Sequence, residues 1–322
     1  MSQVDDFDDL NRQVRQMHWP IARYRLAWTV TEPIHFPPYA GSTLRGAFGR
    51  ALRKTACMTH LATCKGCPLY RSCPYTGIFE TPAPAEHQLQ KFSQIPNPYV
   101  IEAPDWGEKT YQVGECLSFE LVLFGRALYH LALIVFAFKR AFNHQVGHGK
   151  AQFDGLYHLD VNGQLTLIYS ETDSEIIEHE QEVCLEHLAP LAGDVQMNLL
   201  TPLRLQANGV GLSPVRIQAD TVLMTLVRRI SLLNEFHAAN KLHFPFSDMK
   251  AYTQNVQIHK DLQWQDWIRY SSRQHQRMHL GGVVGKIDFM DLDPLFGSLL
   301  QIGQWVHLGK NATFGLGKYQ LL

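Results

Sequence analysis

Four cysteines crowd into one short segment, spaced Cys57-x6-Cys64-x2-Cys67-x5-Cys73, while Cys116 and Cys184 stand apart. Four thiolates on one loop suit tetrahedral zinc, and the Cys64-x2-Cys67 pair with Gly66 inside it has the tight turn of a metal knuckle. An iron-sulfur cluster is the rival, since four cysteines satisfy it equally. The same region is strongly one-signed. Between Glu32 and Glu80 there is no acidic residue, whereas Arg45, Arg50, Arg53, Lys54, Lys65 and Arg71 supply positive charge, with His35 and His60 able to add more. Such a stripe fits a phosphate backbone, or is an ordinary solvated helix face. Two further clusters lie near the C-terminus. In WVHLGKNATFGLGKYQLL, Gly309, Gly315 and Gly317 surround Lys310 and Lys318, so unhindered backbone amides and ammonium groups could meet phosphates; a turn needing positive φ reads the same way. Upstream, RYSSRQHQRMHLGG gathers Tyr270, Arg273, His275, Arg277 and His279, a mixture suited to stacking on and pairing with splayed RNA.

Several chemistries lose their sequence support. There is no GxxxxGK[ST], no GxGxxG opening a helix after a strand, no HExxH and no GxSxG. What survives is chemistry run by His, Tyr, Lys and Arg beside a bound polyanion. The composition is that of a globular protein: 322 residues, 45 % hydrophobic and 18 % charged, with 29 Lys and Arg against 30 Asp and Glu, enough chain for two domains without disulfides. The apolar run Ala127–Phe138 is too short and too charged at its ends to span a membrane, and the N-terminus carries no basic-then-apolar signal, so the expected location is cytoplasmic.

The elements that must position these groups follow from periodicity. After an acidic leader over residues 1–20, Tyr24, Leu26, Trp28 and Val30 alternate with polar neighbours as a strand with one buried face. Ser42 or Thr43 can then cap a helix carrying Leu44, Ala47, Phe48, Ala51 and Leu52 on one side. Residues 81–104 read as an irregular excursion, 116–124 as a strand, 126–143 as an apolar helix, and 151–158 with 165–170 as a hairpin across Asn162-Gly163. The acidic stretch 171–186 reads as solvated. The second half repeats the order: strand 197–205, helix 220–237, strand 262–271, strand 283–290, a helix started by Asp293-Pro294, and a closing glycine-rich hairpin. Each half threads as β-α-β-β-α-β, so the expected class is α+β, tandem ferredoxin-like modules with a Cys-rich metal-binding insertion. The expected boundaries are 21–195, with the insertion at 57–73, and 196–322.

The TLRGAFGRALRK helix, the cysteine segment running into GIFE, the RYSSRQ strand and the terminal GKNATFGLGKY loop together resemble the CRISPR repeat-RNA endoribonucleases of the RAMP superfamily, in their cysteine-bearing branch. That resemblance implies a glycine-rich loop gripping repeat RNA. It also implies metal-independent cleavage of precursor CRISPR RNA, in which the ribose 2′-hydroxyl attacks the neighbouring phosphate and leaves a 2′,3′-cyclic phosphate and a 5′-hydroxyl. By position it implies His60 as the catalytic histidine, with Arg53 and Lys54 as charge stabilisers and His35 and Tyr39 able to converge on the same site. This helix has Phe48 and Gly49 where relatives often carry a Tyr. His60 also has two other readings, a metal ligand or a surface residue without a role. RNA contacts are expected from Arg45, Arg53, Tyr270, Arg273, Lys310, Gly315, Gly317 and Lys318. The metal ligands are expected to be Cys57, Cys64, Cys67 and Cys73, holding structural zinc or a cluster, with no cofactor in catalysis. Repeat RNA is the expected partner, together with other CRISPR proteins or a fused enzyme domain. The competing readings are a noncatalytic guide-RNA-binding RAMP subunit and a metal-stabilised interaction module without RNA function.

Overall fold

The computed structural model describes residues 3–83, 95–104, 106–207, 209–271, 276–279 and 281–322; of these, the side chains at 3–5, 268–271 and 276–279 are left aside. The chain divides into two compact units, residues 19–183 with 236–239, and residues 1–18 with 184–235 and 240–322.

Within the stretch read as an acidic leader, residues 3–16 form a helix. Helix α1 (Gln3–Gln16) buries Phe7, Leu10 and Val14, at helical spacing, within the C-terminal unit, where Phe7 meets Phe296 and Tyr252 edge-on. The acids that dominate its composition lie on the opposite side of that stripe.

The unit at 19–183 is built from β1 (Ile21–Glu32), β2 (Ile34–Phe36), α2 (Gly41–Ala56), α3 (Pro74–Phe79), β3 (Tyr99–Glu102), β4 (Lys109–Tyr111), β5 (Cys116–Phe124), α4 (Leu131–His144), β6 (Lys150–Leu159) and β7 (Leu165–Tyr169). Its sheet runs β3-β5-β1-β6-β7, all antiparallel. Leaving out the edge strand β7, this is the ferredoxin-like order, with the first strand of the unit between the third and the fourth. The alternating pattern of β1 sends Tyr24, Leu26, Trp28 and Val30 to the core side. There Trp28 stacks on Phe142 of α4 at 4.2 Å between ring centroids, and Phe48 of α2 stacks on Phe138 at 4.6 Å. Gly49 permits the next layer: a Cβ there would sit 2.3 Å from the Phe79 ring, so α3 can lie against α2 only over a glycine. Strand β3 corrects the irregular reading of 81–104, its four residues being too short a run for periodicity to mark; helix α3, six residues opening on Pro74, follows the cysteine loop.

The C-terminal unit repeats the order with β8 (Gly193–Leu203), a short ribbon of β9 (Gln206–Ala207) and β10 (Val210–Gly211), α5 (Ala219–His237), α6 (Phe246–Thr253), β11 (Ile258–Gln265), the ribbon β12 (Ile268–Ser271) with β13 (Gln276–His279), β14 (Gly282–Leu292), α7 (Pro294–Val306) and β15 (Tyr319–Leu321). Its main sheet is β11-β14-β8-β15, again third, first and fourth neighbours in antiparallel pairing. Helix α7 starts as its sequence dictates: the Asp293 carboxylate accepts from the Leu295 amide at 2.8 Å, with Pro294 at the first position. The expected closing hairpin is corrected. Strand β15 pairs with β8, with Tyr319 opposite Leu199, so residues 307–318 form a crossover into that edge and not a local turn.

Candidate active site and RNA-binding surfaces

Helix α2 organises the candidate catalytic residues and divides them. His35 lies on β2 just before the helix and Tyr39 in the Pro-Pro-Tyr turn that enters it, while Lys54 is in its last turn and His60 beyond it. From Gly41 to Lys54 the helix advances about 20 Å at 1.5 Å per residue. His35 and Tyr39 therefore precede the helix, while Lys54 and His60 lie in and beyond its last turn.

At the N-terminal end, β2 pairs with β4 so that His35 faces Thr110. His35 Nδ1 and the Thr110 hydroxyl are 2.9 Å apart, and Nε2 lies 3.4 Å from a Glu108 carboxylate oxygen. The half-exposed imidazole is thus held at both nitrogens with its edge open to solvent. The helix start beside it has no side-chain cap, contrary to the Ser42 or Thr43 expectation: Ala40 is the cap residue, and no acid stands in the first turn. Its first amides have no partner within the helix and carry partial positive charge. Between these features lies a cleft of about 180 Å³ lined by Phe36, Ala40, Trp106, Glu108, Lys109 and Tyr111. Tyr39 is 3 % exposed and stacks on Trp106 at 4.9 Å; burial, with the Glu102 charge adding to it, pushes the phenol far above its ordinary pKa. Its hydroxyl stays protonated and its ring supports the wall of the cleft.

At the other end, the Arg53 guanidinium donates to the carbonyls of Leu61 and Ala62 at 2.6 and 2.9 Å, tying the cysteine loop to α2. His60 is exposed and has a φ of +52°, with its backbone amide directed at the Cys57 sulfur. Cys57, Cys64, Cys67 and Cys73 all line one small pocket, and the Cys64–Cys67 turn closes by a 3.1 Å amide-to-carbonyl bond over Gly66 at φ +81°. Yet among the described residues no group of three or more His, Cys, Asp or Glu side chains is arranged to hold a metal ion. The four expected ligands lie in one loop and share one pocket.

The expected RNA contacts sort unequally. Arg45 packs its guanidinium 4.3 Å over the Phe79 ring, so it braces α3, as Arg53 braces the loop. Arg50, Lys54 and Lys65 stand exposed on the same stretch. In the C-terminal unit the glycine-rich loop uses its amides internally: Leu308 N–H donates to Gly317, Lys310 N–H to Arg204, Gly315 N–H to Ala312, Gly317 N–H to Pro202, and Lys318 N–H to the Thr201 hydroxyl. Its glycines are there for close approach. A Cβ on Gly309 would lie 2.7 Å from the Arg204 carbonyl and one on Gly317 1.8 Å from that of Leu308, both at positive φ. What the loop presents outward is the exposed Lys310 and the half-buried Lys318. Tyr270 sits on β12 opposite Arg277 of β13. Arg273 and His275 lie outside the described residues.

Periodicity could not find Glu108, Thr110 and Trp106, because they reach His35 and Tyr39 through a strand pairing more than seventy residues apart in sequence. Nor does any local pattern mark the cluster in which the Tyr24 hydroxyl meets His179 Nε2 at 2.9 Å and His158 lies 5.2 Å from His179, ring to ring. Burial, then the neighbouring His179, pulls the His158 pKa below its ordinary value.

Two ferredoxin-like units thus follow one another along the chain, with a cationic helix in the first and a glycine-rich crossover in the second. Residues 19–182 match the family AF_1859_N, N-terminal domain, over half of the chain, and the chain belongs to that family. Residues 197–319 match CRISPR-associated endoribonuclease Cas6, an endoribonuclease family. Among solved structures, a Cas6 (TTHB231) product complex aligns at TM-score 0.58 with 12 % identity, over 94 % of this chain and all of that one, and Thermus thermophilus Cas6 (TTHB231) at 0.53 and 12 %, over 95 % and 100 %. A partial Cas6-RT-Cas1–Cas2 complex aligns at 0.54 with 16 % identity over 96 % of this chain, which spans 47 % of that one. At such identities the likeness is one of fold. No curated protein matches the chain in sequence. Among the described residues no helix is long and apolar enough to cross a membrane.

Proposed function

We propose that this chain binds and cuts CRISPR precursor RNA within its repeats, with the cleavage centre at the N-terminal end of α2. The observation that carries the proposal is His35, half-exposed and held at both ring nitrogens by Thr110 and Glu108, on the strand that leads into the uncapped start of α2. Cleavage by the ribose 2′-hydroxyl needs a proton acceptor for that hydroxyl, a donor for the departing 5′-oxygen and positive charge for the phosphorane. His35 supplies proton transfer, Glu108 fixes its orientation, and the α2 amides with Lys109 face the developing negative charge. No metal is required in this scheme. The competing site is His60 with Lys54 at the C-terminal end of α2, and Lys310 and Lys318 are assigned to RNA backbone contacts. The decisive experiment is single-turnover cleavage of a repeat RNA in EDTA with end-group analysis: a 2′,3′-cyclic phosphate, and no cutting when the scissile ribose is 2′-deoxy, supports the mechanism. Binding without any cleavage supports instead a noncatalytic guide-RNA subunit.

Structural zinc on the four cysteines is a separate proposal. What supports it is their spacing, their common pocket and the amide contacts at Cys57. An iron-sulfur cluster is its alternative. The relative that carries Cas6 in one chain with RT and Cas1 suggests other CRISPR proteins or a fused enzyme domain as partners.

A further inference from the structure

We propose that the cleft beside His35 is a nucleobase pocket: one unpaired base of the bound RNA enters it and stacks on Trp106. The inference rests on the reading of this chain as an RNA-binding protein and goes beyond it in assigning a base-recognition site. The cleft is too large for a single ordered water and is walled by flat rings. Phe36 and Tyr111 meet edge to face at 6.0 Å as its buried floor. Trp106, of intermediate exposure, is backed by Tyr39, and that stack fixes the plane a base would lie against.

The rim supplies the rest of a nucleotide's chemistry. Lys109 holds its ammonium 4.2 Å over the Tyr111 ring, within reach of the cleft mouth, and the uncapped start of α2 at Ala40 borders the same opening, so positive charge flanks the aromatic wall where a phosphodiester would pass. Glu108 is the one anionic group among the described residues that line the cleft. It can accept from an exocyclic amine, which favours adenine, cytosine or guanine over uracil. A lipid or an apolar peptide side chain would find no use for a Lys and a Glu at the rim; a base with its attached phosphate uses both. Glu108 also lies 3.4 Å from His35 Nε2, so a base held here would share that carboxylate with the imidazole, making Trp106 a positioning residue for RNA near His35.

The test uses the full chain and short adenine, cytosine and uracil homo-oligoribonucleotides, with an abasic ribose-phosphate strand of equal length as control. Fluorescence anisotropy at fixed salt is expected to show Trp106→Ala weakening the adenine and cytosine strands by about 5- to 100-fold while the abasic strand changes little, and Trp106→Phe recovering most of the loss. Should Trp106→Ala perturb folding, Trp106→Phe still decides the matter: tryptophan emission of the wild type should be quenched by base-bearing strands but not by the abasic one, and Trp106→Phe should remove that quench while retaining affinity. Equal weakening of all strands, or a quench that survives Trp106→Phe, overturns the proposal. A protein that shows the Trp106-dependent difference yet cuts no repeat keeps the pocket and loses the nuclease reading; one that cuts through His35 without the difference loses the pocket alone.

Discussion

If cleavage occurs at the N-terminal end of α2, His35→Ala should slow single-turnover cutting by roughly 10²- to 10⁴-fold, the usual worth of a general acid or base, while His60→Ala stays within about twofold of wild type. The contrast follows from geometry. The length of α2, about 20 Å from Gly41 to Lys54 and several times the reach of a hydrogen bond, lies between them in the chain, so the two histidines are expected not to share one proton-transfer step. His35→Ala should also leave the fold intact. Its backbone amide keeps its 2.8 Å bond to the Gly147 carbonyl, its side chain is half-exposed, and the β2–β4 pairing does not depend on the imidazole. Glu108→Gln should give a smaller loss of the same kind, because it leaves the imidazole in place and removes only the charge that orients it. The assay is cleavage of end-labelled repeat RNA in EDTA at saturating protein, with affinity measured separately on a 2′-deoxy-blocked strand, so that chemistry and binding are read apart. A wild-type rate for His35→Ala together with a slow His60→Ala would move the active centre to the cysteine loop. Equal large losses in both variants would refute the argument from separation itself.

Other consequences can be checked independently. Replacing Lys310 and Lys318 together by Ala should weaken RNA binding and flatten its dependence on salt, since fewer counterions are released; an unchanged salt titration would take this crossover out of the RNA surface. Gly317→Ala combines a φ of +69° with a Cβ pressed onto the Leu308 carbonyl, so it should cost about 2–5 kcal/mol and lower the melting temperature of the C-terminal unit; unaltered melting would contradict the packing described for the loop. Purified protein is expected to carry about one zinc, or one cluster, per chain, with Cys64→Ser plus Cys67→Ser losing the metal and thermal stability together; metal-free protein that melts normally would sink the metal proposal. Because the folded state disfavours protonated His158, the unfolded chain binds more protons over the window that starts near pH 6.5 and runs down to the lowered folded value. Stability should therefore fall as pH drops through that window, and His158→Phe should flatten the fall in chemical denaturation; an identical pH dependence in that variant would contradict the assignment.

Much of the architecture follows from local sequence alone. Tyr24, Leu26, Trp28 and Val30 have a period of two and can only be a strand with one wet face, while Leu44, Ala47, Phe48, Ala51 and Leu52 have the period of a helix. The second half reproduces the same order with Asp293-Pro294 starting α7. Such patterns are local, set by backbone geometry and the need to bury one face, and two copies of β-α-β-β-α-β suffice to specify the tandem class. Helix α1 was hidden because its acids outnumber the three apolar residues that it buries. The candidate site was only half legible: residue types and neighbourhood marked His35, Tyr39, Lys54 and His60, but not which of them share a centre. Deciding that required the length of α2 and the pairing of β2 with β4, which brings Glu108 and Thr110 to His35. The glycine-rich crossover shows the same division. Its composition revealed that backbone must pass close to something, and the pairing of β15 with β8 made that something the carbonyls of Pro202, Arg204 and Leu308. Contacts between residues far apart in sequence leave no period behind them, and for that reason only the tertiary structure could assign them.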